Sequence, residues 1–122
     1  MFGHPPFFGP KNTMRYLILP LLLLSGLAQA AELTEAQQAS AKELAQASGC
    51  LSCHALTEKI VGPAYSSVAE KYQADADAAS SLAQSIQYGS KGKWGRIPMP
   101  AHASLSPEDI KTLATWVMTV KK

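Results

Sequence analysis

Phenylalanine is absent beyond residue 8: all three, Phe2, Phe7 and Phe8, stand at the very start of the chain. Branched aliphatics are also scarce, with Leu, Ile and Val together only 15 of the 92 residues from Ala31 onward. That fraction by itself leans toward disorder, so a domain there is short of core material and needs a staple other than side chains. Cysteine occurs twice, as Cys50 and Cys53, which excludes a disulfide-dense scaffold. Strand-like alternation and internal repeats are missing too. After residue 30, nine Lys plus Arg balance nine Asp plus Glu, and the formal +2 of the whole chain belongs to Lys11 and Arg15. Without a basic run nothing supports nucleic-acid binding, and net charge names no partner. The longest apolar run, from Tyr16 to Leu24, is interrupted by Pro20 and is too short for a membrane span of about 20 residues.

That run has another use. Met14 and Arg15 precede it, and Ser25, Gly26, Leu27 and Ala28-Gln29-Ala30 follow, giving the charged start, apolar middle and A-x-A site of a cleaved secretory signal over residues 14–30. An uncleaved anchor is the alternative. Residues 1–13 lie ahead of a complete signal and have no periodicity, so they read as a mis-assigned upstream extension with the true start at Met14. The expected mature domain is 31–122, one small domain by length, with no membrane span.

Within it the pattern is helical. Thr34 followed by Gln37 is a capping-box signal, and an Ala-, Gln-, Lys- and Glu-rich stretch from Glu35 to about Ser48 makes a first helix ending before Gly49. A short second helix fits Ser66 to Tyr72. A third fits Asp77 to Tyr88, with Ala79, Leu82 and Ile86 as its apolar stripe and Gly89 as its stop. The last starts with Ser106 as N-cap, Pro107 at the first position, and Glu108 and Asp109 in the first turn. Its stripe is Ile110, Leu113, Ala114 and Val117, reaching Val120 if the helix runs that far, with Lys121 and Lys122 suiting its negative end. Trp116, beside that stripe, is expected to pack against helix one, an electron-path role being the alternative. Residues 90–105 form a Gly- and Pro-rich loop long enough to suggest function.

Cys50, Leu51, Ser52, Cys53 and His54 spell C-x-x-C-H, a c-type haem attachment signal. Two thiols at this spacing reach the two vinyl groups of one porphyrin edge, and the adjoining imidazole is carried beneath the ring to the iron. A thioredoxin-like redox pair needs a βαβ setting, which is missing. Zinc needs four ligands, and the only other Cys or His after the leader is the distant His102. Covalent attachment would use both cysteines, leaving none for a disulfide, and the buried porphyrin would supply the missing core. The haem-free chain is therefore expected to be largely unfolded.

Iron with one His ligand accepts a sixth ligand, and a thioether favours the ferrous state. After the leader the methionines are Met99 and Met118. Met118 falls in the last helix and reads as ordinary filling, whereas Met99 lies in the loop between Pro98 and Pro100, whose fixed φ angles limit backbone freedom. Met99 is the expected ligand.

Gly49 to His54, Val61-Gly62-Pro63-Ala64-Tyr65, Gly89-Ser90, Trp94-Gly95, Ile97-Pro98-Met99-Pro100, Leu113-Ala114 and Trp116-Val117 together resemble the small bacterial class I monohaem cytochromes c, the periplasmic type that donates electrons to nitrite reductase or terminal oxidases. The resemblance covers nearly all of the mature domain. It implies an all-α cytochrome c fold of about four short helices around one haem c. It also implies thioethers at Cys50 and Cys53, and axial iron ligation by His54 and Met99. Pro63 would accept a hydrogen bond from the His54 Nδ1–H through its carbonyl, while its ring, Ile97 and Pro98 line the haem. Trp94 would point its indole N–H at a haem propionate, plain loop packing being the alternative.

Three departures from the family bear on these roles. His102 stands where relatives often have an asparagine bonded to the methionine sulfur, so it either tunes the potential or is simply exposed. Ser85 stands where relatives can carry a basic residue reaching a propionate. Ala45 replaces a larger apolar residue, predicting looser packing of helix one on helix four.

The implied function is periplasmic one-electron carriage by a monomer, in denitrification or oxygen respiration, with no catalytic residues. A quinol-oxidising complex or other donor and a nitrite reductase or terminal oxidase would dock transiently on a small apolar patch at the haem edge. Lys42, Lys59, Lys91 and Lys93 are candidates for its charged rim. Two other readings are a dedicated haem subunit of a larger respiratory complex and a ligand-binding or peroxidase-like protein in which Met99 dissociates.

Overall fold

The computed structural model describes residues 1–4, 9 and 32–122; the signal expected over 14–30, and most of the extension ahead of it, lie outside the described residues. The domain is the compact unit Ala31–Lys122. It holds α1 (Glu35–Ala47), α2 (Tyr65–Tyr72), α3 (Ala78–Tyr88) and α4 (Pro107–Val117), with a single 3₁₀ turn at Cys50–Ser52. Among the described residues the strand-like pairing is one isolated antiparallel bridge, Ser90 with Met99. The expected all-α fold of four short helices is thus what forms.

The helix ends obey their local chemistry. Thr34 Oγ1 accepts from the Gln37 N–H at 3.3 Å, and Gln37 Oε1 accepts from the Thr34 N–H at 2.9 Å, so two otherwise unpaired donors are satisfied reciprocally. Ser106 Oγ accepts from the Asp109 N–H at 3.1 Å ahead of Pro107. α2 begins one residue before its expected start and has no side-chain cap. Its first N–H groups go instead to the loop, Tyr65 N to Ala55 O at 3.0 Å and Ser66 N to Leu56 O at 2.9 Å.

α4 is the hub, packing against α1, α2 and α3. Its buried face is Ile110, Leu113, Ala114, Trp116 and Val117. α1 contributes only Ala41 and Ala45 to the core, both fully buried, as is Ala114. With these small side chains fully buried where α1 meets α4, the looser packing expected from Ala45 does not appear as exposure. Trp116, expected to pack against helix one, is buried, and the ring it meets is that of Tyr65 from α2, edge-on with centroids 5.4 Å apart at 73°, a favoured aromatic geometry.

Two details of patterning are corrected. In α3 the buried positions are Ala78 and Leu82, while Ala79 is exposed; the inward stripe follows the i, i+4 spacing of 78, 82 and the half-buried Ile86. α4 stops at Val117 and has no basic residue in its last turn, so Val120, Lys121 and Lys122 lie beyond it. Lys122 instead pairs with Glu70 at 2.6 Å, both side chains well exposed, an arrangement worth little in stability.

Candidate functional site

The helix-to-loop junction after α1 sets the first half of the site. Gly49, at φ 77°, takes the left-handed conformation that ends the helix. The chain then tightens into the turn at Cys50–Ser52, where Cys53 N and His54 N both reach Cys50 O, at 3.2 and 3.0 Å. One turn therefore carries both half-buried sulfurs and delivers His54 next to them. Burial pushes the Cys50 thiol up, with hydrogen bonding to Tyr65 partly offsetting it. Tyr65 itself is held protonated well above the ordinary tyrosine range, chiefly by burial and then by the neighbouring Cys50 and Cys53 sulfurs.

The His54 ring is held from several sides. Its Nδ1 lies 2.8 Å from Pro63 O, and because a proline carbonyl can only accept, Nδ1 carries the proton and Nε2 keeps a free lone pair. The Tyr65 ring stacks on the imidazole, centroids 4.9 Å apart at 16°. Gly62 N donates to Cys53 O at 2.6 Å, pinning the 55–63 loop back against the cysteine turn.

The second half comes from the loop after α3. Ser90 and Met99 exchange both backbone hydrogen bonds, Ser90 N to Met99 O at 3.1 Å and Met99 N to Ser90 O at 2.9 Å, and His102 N donates to Ile86 O at 2.9 Å. Gly89 makes this clasp possible. At φ 75° and ψ 177° it occupies a region open essentially to glycine alone, and a Cβ there would lie 2.5 Å from Met99 O and 3.1 Å from Ala101 N.

These halves enclose one cavity of about 600 Å³, lined by Cys50, Cys53, His54, Pro63, Trp94, Ile97, Pro98, Met99 and His102. Every site residue expected from the sequence is brought to this one space, whose size falls in the range of roughly 300–1,000 Å³ of cofactor pockets. Val68, Leu82, Leu113 and Val117, all buried core residues, also line it, so the cavity is continuous with the hydrophobic core. Two sulfurs, an imidazole with a free Nε2 and a thioether against an apolar wall form a donor set suited to a covalently held haem.

The cavity rim mixes apolar and basic groups. Ile60, Val61 and Ile97 line it and are 49%, 48% and 68% exposed. Of the four rim lysines expected, Lys59 and Lys93 line the cavity, whereas Lys42 and Lys91 are exposed but not among its lining residues. Lys93 Nζ donates to Ser85 Oγ at 2.9 Å, and Ser85 Oγ to Ser81 O at 3.2 Å. The positive charge that Ser85 does not carry is thus brought to its side by the next loop. Lys71 Nζ stands 4.4 Å from the Trp94 ring centroid, a cation–π contact that fixes the half-buried indole.

Two residues at the site, Gly62 and Tyr65, carry no role that residue type alone announces. Their signal was positional: both belong to the run Val61-Gly62-Pro63-Ala64-Tyr65 around the His54 acceptor.

Comparison with known proteins matches residues 38–121 to the cytochrome c family. Cytochrome c-551 of Pseudomonas denitrificans is 50% identical over 80 residues, covering 66% of this chain and 96% of that protein. Cytochrome c-552 of Nitrosomonas europaea is 42% identical over 100 residues, covering 82% and 87%. The crystal structure of wild-type Nitrosomonas europaea cytochrome c552 is similar with a TM-score of 0.64 at 45% identity, covering 66% of this chain and 99% of that one.

Proposed function

The chain belongs to the cytochrome c family as a small class I electron carrier with one covalently attached haem c, and on that premise we propose that it is a periplasmic one-electron shuttle with His54 and Met99 as axial ligands. Cys50 and Cys53 carry the two thioether bonds. Pro63 orients the imidazole through its carbonyl and strengthens Nε2 as a donor. The observation that supports this most is the 2.8 Å contact of His54 Nδ1 with Pro63 O beside a cavity that Met99 also lines. Trp94, by its indole N–H, and Lys93, by charge, would hold the haem carboxylates, while Ile97, Pro98 and His102 complete the cavity wall near Met99.

The haem iron supplies the one-electron couple; the chain's own groups do the rest. With His54 and Met99 both on the iron, no position would remain for a substrate, and the chemistry left to the protein would be one-electron carriage. Backbone clasps at Cys53–Gly62 and Ser90–Met99 keep the ligand-bearing segments in place, which holds reorganisation small. Ile60, Val61 and Ile97 offer an apolar contact at the cavity mouth, ringed by Lys59, Lys93 and Arg96, suited to brief docking of an acidic partner. Such a partner is a quinol-oxidising complex or other donor on one side, and a nitrite reductase or terminal oxidase on the other.

The test is the rate at which isolated nitrite reductase and isolated terminal oxidase oxidise the reduced protein, measured against ionic strength. Rapid oxidation by one of them, slowing as salt screens the lysines, supports the shuttle. Failure with both removes it, and a salt-independent rate removes Lys59 and Lys93 from docking.

A further inference from the structure

Gly62 is a glycine for reasons of space. Positive φ angles occur at Gly49, Gly89, Gly92 and Gly95; Gly62 is not among them, so its lack of a side chain does not serve a left-handed turn. A Cβ at Gly62 would stand 2.5 Å from His54 Cε1, 2.9 Å from Nδ1 and 3.0 Å from Nε2, whereas at Gly49, Gly92 and Gly95 it would meet nothing within 4 Å. The bare Cα of Gly62 therefore sits against the part of the imidazole that lies between its two nitrogens.

The ring has little freedom to yield. Its Nδ1 is bonded to Pro63 O at 2.8 Å, its face is stacked on Tyr65 at 4.9 Å, and Gly62 N is tied to Cys53 O at 2.6 Å. Two successive residues, Cys53 and His54, are thus bracketed by two successive residues, Gly62 and Pro63. To reach ordinary carbon–carbon separation from an added Cβ, the ring would have to retreat by about 1 Å. That movement rotates the imidazole plane and stretches the bond at Nδ1, and both changes are felt at Nε2.

We propose that Gly62 is a positioning residue that sets the orientation of the His54 imidazole plane at the iron, acting by contact with the ring rather than through backbone conformation. This rests on His54 as the axial ligand, and the two are separable by experiment.

In the reduced wild-type holoprotein, proton NMR first locates the His54 ring protons. Strong upfield shifts from the porphyrin ring current establish the ligand reading on their own, and their absence overturns that reading and this inference with it. The Gly62 α-protons should then give a strong nuclear Overhauser effect to His54 Hε1; with His54 shifted as a ligand, its absence overturns the inference alone. In the ferric state the spread and order of the haem methyl shifts report the azimuth of the imidazole plane. Gly62→Ala should change that order, while Ala114→Gly, a destabilising change in α4 away from the cavity lining, should lower stability and leave the order intact. An unaltered methyl pattern in Gly62→Ala also overturns the inference. If Gly62→Ala fails to accumulate as holoprotein, the wild-type nuclear Overhauser effect decides.

Discussion

Stripping the haem from the holoprotein should unfold it, and the structure says by how much. The cavity between the cysteine turn and the Met99 loop measures about 600 Å³ and shares Val68, Leu82, Leu113 and Val117 with the core. At about 24 cal/mol per Å³ of void, a space of that size would cost about 14 kcal/mol, and counting half of it for the open mouth still leaves about 7 kcal/mol. A domain of this length has in total about 5–14 kcal/mol of stability. The loss matches or exceeds what is there, and no Phe and few branched aliphatics remain to close the gap. The assay is far-ultraviolet circular dichroism with urea titration on haem-stripped protein, or on Cys50→Ser/Cys53→Ser produced without haem. Most helicity should vanish and no cooperative transition should remain. A sigmoidal urea transition with the helicity of the holoprotein would refute the argument that the haem completes the core.

Three further outcomes follow from the site's geometry. Gly89→Ala places a Cβ at a glycine-only backbone conformation and against Met99 O, so it should cost about 1–3 kcal/mol in strain alone and weaken the sulfur–iron charge-transfer band; an unchanged band and urea midpoint would count against the clasp. His102→Ala should move the reduction midpoint, because His102 lines the cavity and its backbone is held by Ile86; equal midpoints for variant and wild type from about pH 5 to 8 would leave the side chain a bystander. Tyr65 is protonated well above its ordinary range in the folded protein, mainly through burial. Unfolded chains release that proton near pH 10, so the stability it contributes is full below that pH and falls above it by about 1.4 kcal/mol per unit until Tyr65 ionises. Spectrophotometric titration should find one domain tyrosine silent until alkaline unfolding, and Tyr65→Phe should flatten the slope; three tyrosinates in a folded protein at pH 11 would contradict it.

What could be read from the sequence is what depends on residues close together in it. Cys50, Cys53 and His54 share one turn, Thr34 with Gln37 and Ser106 with Asp109 are three apart, and the Pro-flanked Met99 announces itself by its neighbours. What could not be read depends on contacts between distant segments. Gly62 is not among the glycines of positive φ; only the His54 ring reveals why it is bare. The stacking of Tyr65 on His54 and Trp116, and the reach of Lys93 to Ser85, join segments whose approach no local pattern encodes. The choice of Ala78 over Ala79 as the buried residue of α3 is a one-position shift in a stretch where both neighbours are alanine, so composition could not decide it. Lys121 and Lys122 fell outside α4 because the helix closes at Val117 with Thr119 N bonded to Trp116 O at 2.8 Å, a stop that no glycine or proline marks.

The central claim is that His54 and Met99 together close the iron's coordination and leave only electron carriage. The most direct test compares wild type with Met99→Ala by ferric absorption at the red end of the visible range and by carbon monoxide addition to the reduced protein. The wild type should display the sulfur-to-iron charge-transfer band and ignore carbon monoxide, and Met99→Ala should lose the band and bind the gas. A wild type that lacks the band, or that binds carbon monoxide as readily as the variant, would contradict the account.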